Sequence, residues 1–202
     1  MKVLLINGSP HKEGCTYTAL NEVAGQLKAE DIETEILHIG NQPVHGCIAC
    51  GKCTALKRCI FEDDPANTIL AKMKTADGIV IGSPVYYAAP NGALCALLDR
   101  IFFSGGEAIA GKPAAAIVSC RRGGASSAFD RLNKYFTINQ MPVATSQYWN
   151  SVHGFSPADV KKDLEGLQTM RILGHNMSWL LKNTENSFSP LPEERIMTNF
   201  ID

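Results

Sequence analysis

Short apolar runs alternate along this chain with longer stretches in which apolar residues recur every three or four positions. Lys2–Asn7 is a continuous apolar run, as is typical of a strand covered on both faces. Ile32–Ile39 alternates apolar and polar residues and predicts a second strand. Thr16–Glu30, between them, has the helical spacing, so the chain begins with a strand, a helix and a strand.

The same pattern continues to the last third of the chain. The predicted strands are Lys2–Asn7, Ile32–Ile39, Gly78–Ser83, Pro113–Cys120 and Pro142–Gln147. The predicted helices are Thr16–Glu30, Pro65–Thr75, Asn91–Phe103, Ser126–Asn139 and Ala158–Asn183, with Asp64 as the expected N-cap of the second. Five strands separated by helices predict an α/β fold with a five-stranded parallel sheet, helices on both faces and three layers.

No internal repeat or linker interrupts this order, so we expect one domain over residues 1–202. The polar tail, residues 183–202, lacks periodicity and is expected to pack on a neighbouring subunit. Ligands of open parallel sheets bind beyond the carboxyl ends of the strands. The loops after the first, third and fourth strands are therefore the first candidates for a site.

Composition narrows the classes of partner. The formal net charge of −1 gives no electrostatic reason to expect nucleic acid or a membrane surface as the main partner. The longest apolar runs, such as Gly78–Pro84, are too short to cross a bilayer, and the N-terminal run lacks an export-type cleavage site. We therefore expect a cytoplasmic protein. Its seven cysteines, an odd number, favour reduced thiols, a metal site or a cluster over a disulfide scaffold.

The loop after the first strand, Asn7 to Thr18, combines glycine, serine and threonine directly before a helix. Backbone amides at a helix N-terminus bind a phosphate well. The loop has neither the Gly-Lys-Ser/Thr ending of a P-loop nor the Gly-x-Gly-x-x-Gly of dinucleotide binders. A simple capped strand–helix turn is the alternative.

The next two loops have features that suit a planar ring. Two prolines stiffen the segment from Ser83 to Gly92, which carries Tyr86 and Tyr87. The segment from Ser119 to Gly124 offers flexible backbone donors and two arginines. The alternatives are tyrosines that pack on the sheet and a solvated arginine pair on a glycine turn.

Together the three loops resemble the NAD(P)H-dependent FMN reductase family of the flavodoxin superfamily, over nearly the whole chain. The matching stretches are Gly8-Ser9-Pro10 with Gly14 and Thr16, and Ser83-Pro84-Val85-Tyr86-Tyr87 with Gly92, Leu94 and Asp99-Arg100. The resemblance implies a flavodoxin-like fold, FMN, and NAD(P)H as co-substrate. It also suggests a homodimer or homotetramer.

The resemblance assigns FMN-binding residues to each loop. Around the phosphate and ribityl chain it places Ser9, His11, Lys12, Gly14, Cys15, Thr16 and Tyr17. Around the ring it places Pro84, Val85, Tyr86, Tyr87, Ala88, Ser119, Arg121, Arg122, Gly123 and Gly124. Cys15 departs from the commoner pattern, in which serine or asparagine is frequent. No side-chain acid, base or nucleophile is expected, since the flavin carries the chemistry.

Four cysteines lie in the loop from Gly46 to Asp64. Cys47, Cys50 and Cys53 have two residues between successive members, and Cys59 follows after five more. This spacing resembles the ligand set of a [4Fe–4S] cluster and the loop of iron–sulfur flavoproteins, whereas structural zinc usually takes two separated pairs. A cysteine-rich loop without a cluster, followed by Asp63-Asp64, is an equal alternative.

The resulting hypothesis is an FMN-binding oxidoreductase that takes a hydride from NAD(P)H and passes electrons to a small-molecule or protein acceptor. One alternative is an electron carrier that uses FMN and a [4Fe–4S] cluster. The other is a thiol-redox sensing module built on the four loop cysteines.

Overall fold

The computed structural model describes residues 1–184, 193, 194, 196 and 198. The strands are β1 (Lys2–Asn7), β2 (Glu33–His38), β3 (Gly78–Tyr86), β4 (Ala89–Pro90), β5 (Ala114–Cys120) and β6 (Ser151–His153). The helices are α1 (Cys15–Ala29), α2 (Cys53–Leu56), α3 (Ala66–Thr75), α4 (Gly92–Gly105), α5 (Ala125–Ile138), α6 (Pro157–Val160) and α7 (Leu164–Thr184), with a 3₁₀ turn at Gly106–Ala108.

Five parallel strands form the sheet in the order β2-β1-β3-β5-β6. The carboxyl ends of β1, β3 and β5 therefore lie side by side at the centre of one edge. β4 is a short antiparallel partner of β3 and forms a hairpin with it at that edge. The predicted five-stranded parallel sheet is confirmed.

Two apolar cores cover the two faces of the sheet, so the three predicted layers are present. Leu4 and Ile6 of β1 point into one core with α3, α4 and α5. Val3 and Leu5 point into the other with α1 and α7. Because successive side chains of a strand face opposite ways, a central strand covered on both faces must be apolar throughout.

The prediction of the fifth strand at Pro142–Gln147 was wrong in position. That segment meets β5 at one place, where Ala114 pairs with Val143, and then leaves the sheet. The Asn150 side chain then donates to the Ala116 carbonyl of β5 at 3.0 Å. Backbone pairing with β5 resumes in β6. The fifth strand was misplaced because an edge strand buries little surface, so its apolar pattern in the sequence is weak.

Two helix boundaries also differ from the predictions. The predicted helix Ala158–Asn183 is two helices, α6 and α7, because the chain turns at residues 161–163. Ser156 caps α6 in a capping box with Asp159. Pro65, not Asp64, occupies the N-cap position of α3, although the Asp64 carboxylate still accepts from the Ala66 amide at 3.1 Å. The 53–56 segment, within the predicted loop, forms a single helical turn.

No helix among the described residues is both long enough and apolar enough to span a bilayer. The predicted packing of the tail concerns residues that mostly lie outside the described part of the chain. The single domain, the cytoplasmic location and the oligomeric state stay predictions.

Candidate functional site: three loops and a cysteine cavity

The loop after β1 is held by its own polar groups. Gly8 donates from its amide to the Gly82 carbonyl at 2.8 Å, which fixes the start of the loop to the middle of β3. Ser9 is buried, and its hydroxyl accepts from the His11 amide at 3.1 Å. The Asn7 side chain donates to the Lys12 carbonyl at 3.0 Å. His11 and Lys12 themselves are exposed at the rim.

This loop delivers the chain to the N-terminus of α1. Gly14 occupies the N-cap position, has an extended backbone and supplies no capping side chain. The first turn, which includes Cys15 and Tyr17, contains no carboxylate. The amides of this turn therefore keep the partial positive charge that attracts a phosphate.

Thr16 joins the first loop to the third. Its buried hydroxyl lies 2.8 Å from that of Ser119 at the end of β5. Because each hydroxyl can donate and accept, the pair satisfies itself inside the protein. The two residues therefore bring the start of α1 and the end of β5 together. Their prediction as residues of one FMN site requires this contact.

Asn91 joins the first loop to the second, a connection that sequence reasoning missed. Its side chain donates to the Gly8 carbonyl at 2.8 Å and accepts from the Ala93 amide at 2.9 Å. The backbone amide of Asn91 donates to the Ser83 hydroxyl at 2.9 Å. In the sequence Asn91 indicated only the start of a helix, and Gly8 is 83 positions away. No local signal reveals such a contact.

The loop after β3 is a tight hairpin. Tyr86 pairs with Ala89, which leaves Tyr87 and Ala88 as the two turn residues. Both have left-handed backbones, with φ of 49° and 58°, as the favoured two-residue turn requires. A side chain in that region costs about 1–2 kcal/mol per residue. The hairpin lifts Tyr87 fully into solvent, while Pro84 and Val85 stay half-buried.

Gly124, before α5, lies directly against this hairpin. A Cβ at this position would lie 2.7 Å from the Ala88 Cα and 3.2 Å from a Val85 methyl carbon. Its φ is +89°, a left-handed value. The loop after β5 thus reaches the loop after β3, and all three predicted FMN loops are in mutual contact.

Gly124→Ala should destabilise the fold by about 1–3 kcal/mol, because the new methyl group clashes with Ala88 and the backbone stays left-handed. Urea unfolding measures this change. Gly123→Ala is the matched control, since a Cβ there meets no atom within 4 Å, and it should change stability by less than about 0.5 kcal/mol. Equal effects of the two substitutions would show that Gly124 does not brace the hairpin.

The two arginines of the third loop are both exposed. Arg121 lies over the ring of Phe155 at 5.6 Å. The Arg122 carbonyl lies 3.5 Å from the Cys120 sulfur. The structure therefore brings Ser119, Gly123 and Gly124 to the edge of the sheet where the three loops meet. It pairs Arg121 with Phe155, an aromatic residue of the loop after β6.

The three cysteines outside the loop after β2 have ordinary packing roles. Burial raises the pKa of the thiols of Cys15, Cys95 and Cys120. A raised pKa keeps a thiol protonated, and it is the thiolate that reacts or binds metal. These three residues are therefore poor candidates for thiol chemistry.

The other four cysteines share one small cavity. Cys47, Cys50, Cys53 and Cys59 all line it, together with Ile48, Ala49, Gly51, Ile60, Phe61, Arg100 and Phe103. Left-handed backbones at Ala49 and Gly51 turn the chain between the cysteines. All seven cysteines of the protein are free thiols. Among the described residues, no three Cys, His, Asp or Glu side chains are arranged to hold one metal ion.

Asn67 and Asp64 fasten this loop to the body of the protein. The Asn67 side chain accepts from the Cys59 amide at 2.9 Å and donates to the Cys59 carbonyl at 3.0 Å. The Asp64 carboxylate accepts from the amides of His45 and Ala66, one on each side of the loop. Sequence reasoning missed Asn67 and gave Asp64 only a capping role.

Arg100 of α4 also binds the Asp64 carboxylate. It forms a fully buried ion pair with Asp64, and its guanidinium lies 5.5 Å from the centre of the Phe61 ring. Its Nε and Nη1 atoms are buried and have no hydrogen-bond partner among the described residues. A cation with unused donors therefore lines the cysteine cavity.

Comparison with known proteins identifies the family. A sequence model of the NADPH-dependent FMN reductase family matches residues 1–156. The chain belongs to this family. The predicted resemblance is thereby confirmed, and the protein is an FMN-binding oxidoreductase of this NADPH-dependent FMN reductase family.

An iron–sulfur flavoprotein from Methanocaldococcus jannaschii is 35% identical over 192 residues, which cover 90% of this chain and 98% of that protein. A solved archaeal flavodoxin covers 90% of this chain and 99% of its own, with a TM-score of 0.63 and 15% identity. RosB, solved with a bound formyl-riboflavin phosphate intermediate, covers 100% of this chain and 96% of its own, with a TM-score of 0.71 and 14% identity. The two structures confirm the flavodoxin-like fold.

Proposed function

We propose that this protein is a two-centre electron-transfer flavoprotein, with FMN on the three loops and a [4Fe–4S] cluster on Cys47, Cys50, Cys53 and Cys59. The observation that carries the proposal is the shared cavity of the four thiols. The Methanocaldococcus jannaschii iron–sulfur flavoprotein, matched over almost its whole length, supports it.

The residues of the first loop fit the phosphate of FMN. The uncapped first turn of α1 offers amides and a partial positive charge, and Lys12 adds an exposed cation at the rim. In this proposal Ser9, His11, Gly14, Cys15, Thr16 and Tyr17 surround the phosphate and ribityl chain. Thr16 acts mainly by holding the loop to Ser119.

The second and third loops fit a flat ring. The braced hairpin holds Pro84, Val85, Tyr86, Tyr87 and Ala88 on one side. The segment of Ser119, Arg121, Arg122, Gly123 and Gly124 meets the hairpin at Gly124. When bound, FMN accepts an electron pair as a hydride and releases electrons one at a time, which links a nicotinamide to a one-electron centre. The protein supplies position and electrostatics.

The cysteine cavity fits a cluster better than a single metal ion. A cluster holds its four thiolates apart, each on a different iron, whereas one ion needs its ligands in close contact. Two apolar residues of its wall, Ile60 and Phe61, are half-buried and would limit solvent access. Such a centre would pass single electrons between the flavin and an acceptor.

NAD(P)H is the proposed electron source, and the family assignment favours it. Tyr86 and Tyr87 are exposed on the hairpin, so the ring they flank would be open to a second planar molecule. The acceptor is a small molecule or another protein. The thiol-redox module is disfavoured, because a cluster would occupy the same four thiols.

One experiment tests both centres. Freshly purified protein is kept anaerobic, its FMN and iron are counted per chain, and NADPH or NADH is then added while the absorbance of oxidised flavin is followed. We expect one FMN, close to four irons and bleaching by a nicotinamide. Flavin without iron, even after anaerobic reconstitution with ferrous iron and sulfide, would refute the cluster. Flavin that stays oxidised after NADPH or NADH is added would refute the nicotinamide as donor.

A further inference from the structure

We propose that Arg100 is the built-in counter-charge of the cysteine cavity and sets both the iron affinity and the reduction potential of the centre held there. This inference rests on the proposed cluster. It concerns a residue that no metal ligand pattern includes, since arginine has donors and no acceptor.

Arg100 is buried together with its ion-pair partner, Asp64. Its side chain is 1% exposed, and that of Asp64 is 0% exposed. A guanidinium keeps its charge in any protein environment and presents five N–H donors. Buried charged groups are normally paired and hydrogen-bonded, because an unused donor is costly in a low-dielectric interior.

Asp64 uses one carboxylate oxygen for Arg100 and the Ala66 amide, and the other for the His45 amide. The carboxylate is therefore shared between the cation and the two ends of the loop. Arg100 contributes one nitrogen to it and keeps Nε and Nη1 without a partner among the described residues.

Arg100 lines the cavity that the four cysteines line, and the other walls are largely apolar. His45 and Asp63 pair with each other at 2.9 Å on the exposed side of the loop. Of the residues that line the cavity, Arg100 is the charged one, and its side chain is buried. An anion inside the cavity would thus have its counter-charge at Arg100.

A [4Fe–4S] centre bound by four thiolates is such an anion, because the thiolate charges exceed the positive charge of the inorganic core. Net charge and hydrogen bonds to the sulfurs are among the factors that set cluster potentials. A neighbouring cation favours the reduced form, which carries one more negative charge. Arg100 should therefore raise the potential, and Asp64 should lower it.

A purely structural role makes a different prediction. If Arg100 only anchors the loop through Asp64, then Arg100→Gln and Asp64→Asn break the same contact and should have the same effect. If Arg100 is the counter-charge, the two substitutions should move the potential in opposite directions. The sign of the shift separates the two roles.

The test uses the full chain, reconstituted anaerobically with ferrous iron and sulfide. Iron and FMN per chain, the rate of iron loss to a chelator, and the potential of the cluster signal in an electron paramagnetic resonance titration are measured. For Arg100→Gln we expect iron loss about 10- to 100-fold faster, as for other residues that support metal ligands, and a more negative potential. For Asp64→Asn we expect a more positive potential.

Arg171→Gln is the matched control, since Arg171 pairs with Glu22 on the exposed surface of α1 and α7. It should leave iron, potential and FMN unchanged. Arg100→Lys keeps the charge and should give a potential between the wild type and Arg100→Gln, which keeps the proposal testable if the glutamine variant fails to fold. An Arg100→Gln protein with wild-type iron retention and potential would overturn this inference, whereas a wild type that takes up no iron would overturn the cluster itself.

Discussion

Replacing Cys50 by serine should remove nearly all bound iron, from close to four irons per chain to almost none, and leave FMN in place. The alcohol of serine does not ionise near neutral pH, so it is a poor substitute for a thiolate ligand. Cys50 is exposed and lies between the left-handed Ala49 and Gly51, so serine fits there without any change of packing. Iron analysis and flavin absorbance on the same anaerobic sample measure the outcome.

Cys95→Ser is the control for this experiment. Cys95 is the same residue type, but it lies on α4 outside the cysteine cavity, and burial raises the pKa of its thiol. The control protein should keep its iron and its FMN. Full iron content in the Cys50→Ser protein, or joint loss of iron and FMN, would contradict the assignment of two separate centres.

Gly14→Asp should weaken FMN binding by about 30-fold, or roughly 2 kcal/mol, through repulsion between the new carboxylate and the phosphate. The same substitution should make the flavin-free protein more stable by about 0.3–1 kcal/mol. The reason is that Asp is a favoured N-cap residue and its charge suits the helix N-terminus. Flavin titration and thermal unfolding of the apoprotein measure these opposite changes.

Gly14→Asn is the matched control, because asparagine caps the helix equally well and has no charge. The backbone at Gly14 has φ of −84°, which any side chain accepts. A new Cβ would lie 3.0 Å from the Cβ of His11, so the loop must shift by a few tenths of an ångström, equally in both variants. If the two variants bind FMN equally, the phosphate does not lie at this helix N-terminus.

Helix α4 connects the two proposed centres. Asn91, its N-cap, ties two of the FMN loops, and Arg100 lies beside the cysteine cavity. The two residues are separated by about 13 Å along the helix axis. A single rigid element thus fixes the distance between the flavin loops and the cysteines, although the two sites are far apart in sequence.

Several parts of this protein could be predicted from the sequence because their signal is local. Continuous apolar runs predicted β1, β3 and β5, since a strand buried on both faces is apolar along most of its length. The carboxyl-end rule then pointed to the three loops that the structure brings together. The spacing of the four cysteines singled out the loop whose thiols line one cavity.

Only the tertiary structure decided the remaining features. The edge strand β6 and the break between α6 and α7 have weak apolar patterns, because little of their surface is buried in the core. Asn91 binds Gly8, which is 83 positions away, and Arg100 binds Asp64, which is 36 positions away. Nothing near either residue in the sequence reveals its partner. Hydrophobic periodicity records which side of an element is buried, whereas a polar contact between distant loops depends on how the layers stack. That stacking placed a buried cation beside the cavity that the four thiols line.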